Sequence, residues 1–180
     1  MGDINLDKVV KAKLFCALMF EREEDRQYAE NELTKEFGKI ELSSNIYKFN
    51  HTDYYCEEFG CNLKKKLIVF EKTVEQEILP DIKIKTNEIE DSYLTDKGNR
   101  RVNIDPGFIL PSKLILASTK NYSHRIYLGK GIYAEVTLMF TKKGVKYLEW
   151  TYPDYRSEEL AEFLIEVRQN YIKSLKKQDK

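Results

Sequence analysis

Three short polar segments hold the side chains best suited to chemistry in this 180-residue chain. The first is Arg101-Val102-Asn103-Ile104-Asp105-Pro106-Gly107, where a guanidinium, an amide and a carboxylate recur at every second residue. Alternation along a strand would place Arg101, Asn103 and Asp105 on one face. Such a row can orient an anionic or polar ligand. The second segment is His124-Arg125, separated from Tyr133 and Glu135 by Leu128-Gly129-Lys130-Gly131. Histidine suits proton transfer near neutrality, and a hairpin through the glycines would carry His124 towards Glu135 or Tyr133. The third is Trp150-Thr151-Tyr152-Pro153-Asp154-Tyr155-Arg156-Ser157, which packs the only tryptophan with two tyrosines, an acid and a base. A helix is expected to begin just after it, and the free N–H groups of a helix start attract anions.

These segments give His124, Glu135 and Asp105 as candidate catalytic residues. Arg101, Asn103, Arg125, Tyr133, Asp154 and Arg156 are the candidate ligand-binding residues. A structural role is the competing account for each group. Asp105 could cap a Pro-Gly turn, His124 could be a satisfied structural histidine, and Asp154 or Ser157 could cap the helix.

Standard nucleotide and hydrolase motifs are missing. There is no G-x-x-x-x-G-K-[ST] loop, no G-x-G-x-x-G after a strand, no G-x-S-x-G and no H-E-x-x-H. Gly129-Lys130-Gly131 reads as a hairpin turn. His51, Asp53, Cys56 and Cys61 are possible zinc ligands, but their spacing is wider than the close pairs of structural zinc sites, so no metal is assigned. No motif names a cofactor.

Thirty basic residues balance thirty acidic ones, so no global field steers the chain to nucleic acid or an anionic membrane. Lys64-Lys65-Lys66 and Lys176-Lys177 read as solvated edges. No run approaches the ~18 apolar residues of a membrane span. The N-terminus lacks a signal peptide's apolar core, and three cysteines are no disulfide framework. A cytoplasmic protein is expected, and nothing indicates its oligomeric state.

Positioning these segments falls to a single α+β domain spanning residues 1–180, with 1–12 flexible and 176–180 frayed. Lys13 to Phe20 is a continuous apolar run, expected as a central strand buried on both faces. Helical spacing follows from Glu24 to Phe37, ended by Gly38. Ile40 to Phe49 reads as a strand broken at Ser43-Ser44-Asn45, His51 to Asn62 as a loop and Lys66 to Phe70 as a buried strand. Glu75 to Tyr93 is helical, with Pro80 either in its first turn or splitting it. Val102 to Asp105 is a short strand ended by Pro106-Gly107, and Ser112 to Thr119 a short helix. A meander follows through Phe140 and Leu148, then an amphipathic helix from Ser157 to Leu175. The sheet is expected to be mixed or mostly antiparallel, with a ferredoxin-like β-α-β-β-α start, a C-terminal β meander and a terminal helix.

The segments Arg101 to Gly107, His124 to Gly129, Gly131 to Val136 and Trp150 to Ser157 together resemble the prokaryotic family of domain of unknown function 4416. Lys13-Leu14-Phe15 and His51-Thr52-Asp53-Tyr54-Tyr55 are similar to it as well, so the resemblance covers nearly the whole chain. It implies no activity. Some members carry a GTP-binding label, which this chain lacks the phosphate loop to support. The resemblance does add weight to the polar segments as one common site. Two functions are then open. One is a protein that binds, and acts on, a small anionic ligand bearing phosphate or carboxylate, through residues 101–156. The other is a non-catalytic module for RNA or a protein partner, and the neutral net charge argues against it.

Overall fold

The computed structural model describes residues 9–49 and 62–178. His51, Asp53, Cys56 and Cys61 fall outside the described residues. The first apolar run forms β1 (Ala12–Phe20), and all nine of its residues are buried. A strand with no polar face needs cover on both sides. On one side α1 (Glu23–Phe37) and α2 (Leu79–Asp91) bury Ala29, Leu33, Ile82 and Ile89 against Leu14, Cys16, Leu18 and Phe20. On the other side α3 (Glu158–Gln178) buries Leu160, Leu164 and Val167 against Phe15 and Ala17. Ser157 caps α3 through Leu160 N–H, and Pro80 sits in the first turn of α2, where its missing N–H costs nothing.

The remaining strands are β2 (Ile40–Ser43), β3 (Tyr47–Lys48), β4 (Lys64–Val74), β5 (Val102–Ile109), β6 (Lys113–Ser118), β7 (Ile126–Gly129), β8 (Ile132–Thr141) and β9 (Gly144–Tyr147). All join one sheet in the order β2-β4-β1-β5-β6-β8-β7, with β3 beside β4 and β9 beside β8. Every pairing is antiparallel. The stretch β1-α1-β2-β4-α2-β5 has the spatial order β2-β4-β1-β5, with both helices on one face: the expected ferredoxin-like start, within an α+β fold. No helix of the described residues is long and apolar enough to cross a membrane.

Two expectations are corrected. Ser112 to Thr119 is not a helix but contains β6, whose Leu114 and Leu116 face α3 while Ala117 faces α1 and α2. A short apolar run is ambiguous in period, and here ladders to β5 and β8 on either side hold it extended. Pro106-Gly107 also does not end β5, which continues to Ile109. Pro106 has no N–H to donate, and the pairing of β5 with β6 begins only at Gly107. A Cβ on Gly107 would lie 2.2 Å from the Ile115 carbonyl oxygen and 2.7 Å from the Phe15 ring. Glycine thus allows the close approach, and Asn103 and Asp105 are left beyond the point where β6 pairs.

Candidate functional site

The topology of β8 creates the site. Along one edge β8 pairs with β6 from Tyr133 to Met139. Along the other, β7 pairs only with Ile132–Ala134 and β9 only with Leu138–Thr141. The gap between them falls at Glu135–Thr137. Into it come the residues just before β7, His124 and Arg125, and those just after β9, Trp150 and Thr151. The Trp150 indole N–H donates to the Val136 carbonyl at 2.8 Å, and the Thr151 hydroxyl donates to that of Thr137. Three consecutive residues with positive φ, Gly129 (106°), Lys130 (54°) and Gly131 (77°), make the tight return from β7 to β8.

Glu135 is buried, and a buried carboxylate needs a counterion. Arg125 supplies it, its Nε 2.7 Å from Glu135 Oε2, with only 3% and 2% of the two side chains exposed. The rest of the guanidinium is also committed: to Ser118 Oγ at 2.7 Å, the Lys120 carbonyl at 2.9 Å and the Tyr152 hydroxyl at 3.0 Å. Burial works against the Arg125 charge, but the bond to Glu135 overcomes it and holds the guanidinium above its ordinary pKa. Tyr152 is pushed up by burial and by the Glu135 charge.

His124 Nε2 lies 2.9 Å from the same Glu135 oxygen. A carboxylate paired with a guanidinium only accepts, so Nε2 carries the proton of that bond. In the neutral imidazole Nδ1 is then the basic nitrogen, and it has no partner among the described residues. His124 stacks on Trp150, with centroids 4.9 Å apart and planes 12° apart, and lies parallel to Tyr122. With Ser123, Glu149 and Trp150 it lines a shallow, solvent-open depression.

Two further polar groups hold the other expected acids. Asn103 Nδ2 donates to Asp105 at 2.8 Å, and Lys83 from α2 reaches both the Ile104 carbonyl (2.8 Å) and Asp105 (3.3 Å). Desolvation acts to raise the Asp105 pKa, but Lys83, Lys65 and Asn103 outweigh it and hold the carboxyl below its usual range. Buried Asp154 takes Lys65 Nζ at 2.8 Å and the Tyr47 hydroxyl at 3.4 Å. Desolvation raises the hydroxyl pKa of both Tyr47 and Tyr155, and the Asp154 charge adds to it. Asp154 Oδ1 and the Tyr155 hydroxyl are buried without a partner among the described residues. The Asp105 charge is felt at Tyr152 and Tyr155, and Tyr152 bonds Arg125.

His124, Arg125 and Glu135 therefore meet in one hydrogen-bonded group, Asn103 and Asp105 meet with Lys83 in another, and Asp154 meets Lys65 and Tyr47 in a third, while three other expected residues stand apart. Arg101 precedes β5, so alternation does not govern it. It faces α1, with Nη1 3.8 Å from Asp25, Nε bonded to the Leu94 carbonyl and the guanidinium over the Tyr93 ring. Arg156 spends its guanidinium on the carbonyls of Leu148, Glu149 and Thr151. Tyr133 packs against Tyr127, with ring centroids 5.2 Å apart. Among the described residues no three His, Cys, Asp or Glu side chains are placed to hold a metal.

A family model for a domain of unknown function, DUF4416, matches residues 10–171. The chain belongs to the DUF4416 family. No curated protein and no solved structure matches it. In this DUF4416 chain, sequence reasoning missed Lys65, Lys83 and Tyr47. Lys64-Lys65-Lys66 is not a solvated edge: Lys65 pairs with Asp154 and Lys66 with Glu30, their side chains 12% and 15% exposed. The signal was there, since the run leads without a break into Leu67-Ile68-Val69-Phe70. Lysines inside a strand alternate towards whatever covers each face. Lys83 and Tyr47 carry no comparable local signal.

Proposed function

We propose that this DUF4416 protein binds a small polar ligand at the depression beside His124 and exchanges a proton with it through Nδ1. One observation carries the reading: the His124 imidazole is oriented by a buried carboxylate at 2.9 Å while it lines an open depression. Such an arrangement fixes tautomer and ring orientation and leaves one nitrogen free for a ligand's proton. Arg125 and Arg156, the expected anion holders, give their N–H groups to protein oxygens. An anionic phosphate or carboxylate group of the ligand is met instead by the protonated imidazole, which presents Nδ1–H.

The test is the His124 ring ¹⁵N spectrum titrated with inorganic phosphate and with acetate. Saturable shifts of the His124 signals that leave those of His51, the other histidine, in place support the reading; no shift with either anion at tens of millimolar removes the anionic part. Loss of fold in His124→Asn, seen by circular dichroism, would mark a structural histidine instead.

A second reading has its own observation. Ile126, Tyr127 and Leu128 of the edge strand β7 are 72%, 59% and 41% exposed. An uncovered apolar edge suits a protein partner that adds a strand, and crosslinking from position 127 would detect one.

A further inference from the structure

We infer that the ligand at this depression carries a flat, amino-bearing nitrogen heterocycle, stacked on the Tyr122–His124–Trp150 rings with its N–H groups donated to Glu149. This rests on the small-ligand reading above and names the ligand's class.

Three observations carry it. The rings form a parallel column, Tyr122 and His124 within 2° at 6.0 Å and His124 and Trp150 within 12° at 4.9 Å. His124 and Trp150 are held in place from the protein side, and the Arg125 guanidinium lies 4.8 Å over the Tyr122 ring. Glu135 fixes His124, the Val136 carbonyl fixes the Trp150 indole, and the 148–151 turn is locked by Thr151 and by Arg156. Yet Tyr122 and Trp150 remain 53% and 37% exposed. Rigid aromatic surface left in water is surface prepared for another flat ring, because little side-chain entropy remains to be lost on binding.

The polar lining then selects the ring's edge. Among the described residues, Glu149 is the one carboxylate lining the depression, and no lysine or arginine lines it. A carboxylate accepts and cannot donate, so it favours a ring with exocyclic amino or ring N–H groups over one with carbonyl oxygens alone. A bare phosphate finds only Ser123 and His124 there among the described residues.

Trp150 is the sole tryptophan, so fluorescence excited at the red edge, beyond tyrosine absorption, reports this site alone. The experiment titrates the full chain with adenosine, cytidine, N6,N6-dimethyladenosine and ribose 5-phosphate. Expected is saturable quenching by adenosine or cytidine, weakened at least about tenfold by dimethylation and by Glu149→Gln, as for loss of one charge-assisted hydrogen bond. Glu149 is exposed, so this substitution does not threaten the fold. Calorimetry on Trp150→Leu should show no heat of binding with adenosine. An adenine oligonucleotide that binds much more tightly than adenosine would assign the ring to a single strand, and equal affinity per ring to a free nucleoside-type ligand; either outcome supports the inference. No saturable quenching by either nucleoside, or equal quenching by the dimethylated one, overturns it. If phosphate shifts the His124 ring while nucleosides do nothing, the heterocycle is wrong and the His124 reading stands.

Discussion

Glu135→Gln tests the physics of the site most directly. The substitution keeps the shape and one acceptor oxygen but removes the charge opposite Arg125, whose side chain is 3% exposed. The guanidinium would keep its bonds to Ser118, the Lys120 carbonyl and Tyr152, none of which is an anion. Breaking a buried pair by removing one partner costs about 3–5 kcal/mol, because the surviving charge stays out of water. The amide oxygen recovers part of this, so about 3 kcal/mol is expected. Urea denaturation followed by Trp150 fluorescence measures it. The double substitution Arg125→Met with Glu135→Gln removes both charges and should recover most of the loss. A cost below about 1 kcal/mol for Glu135→Gln, typical of an exposed pair, would refute the description of this pair as desolvated.

Three further outcomes follow from other observations. Asp25 is 5% exposed, its Oδ1 accepts no hydrogen bond among the described residues and lies 3.8 Å from Arg101, and burial raises its carboxyl pKa against the opposing Tyr93 hydroxyl and Arg101 charge. The folded state then holds this proton to higher pH than the unfolded chain, so stability falls as pH rises from about 4 through the raised value. Asp25→Asn escapes that loss: it should gain ~1 kcal/mol at pH 7 and nothing at pH 3, and equal effects at both would contradict the sign. The Tyr155 hydroxyl is buried without a partner among the described residues, so Tyr155→Phe should be neutral or stabilising by up to ~1 kcal/mol; a clear loss in urea denaturation would mean that a water or ligand satisfies it. Gly107→Ala should cost about 3 kcal/mol or more, since the added Cβ meets backbone at 2.2 Å rather than a side chain that could move. An unchanged melting temperature would show that β5 and β6 are less tightly joined than described.

The sequence by itself determined the elements with strong local patterns. The run from Lys13 to Phe20 had to be a doubly covered strand because it contains no polar face. The helices from Glu24 and from Ser157 were legible because apolar spacing of three and four residues makes a single stripe, and Gly129-Lys130-Gly131 because consecutive positive φ favours glycine. Where period and length were ambiguous, as in Lys113–Ser118, neighbouring strands decided. Proximity of His124 to Glu135 was readable from the hairpin; what the side chains do there was not. Arg125 and Arg156 offer the same guanidinium in sequence as a ligand holder would. Only the tertiary structure showed both turned inward onto protein oxygens, and showed Lys65, 89 residues from Asp154, as that acid's partner. Local pattern specifies which face of an element is apolar. It cannot specify which distant polar group that face will meet, because sheet order, and the gap that β7 and β9 leave along β8, are set by long-range pairing that no local periodicity encodes.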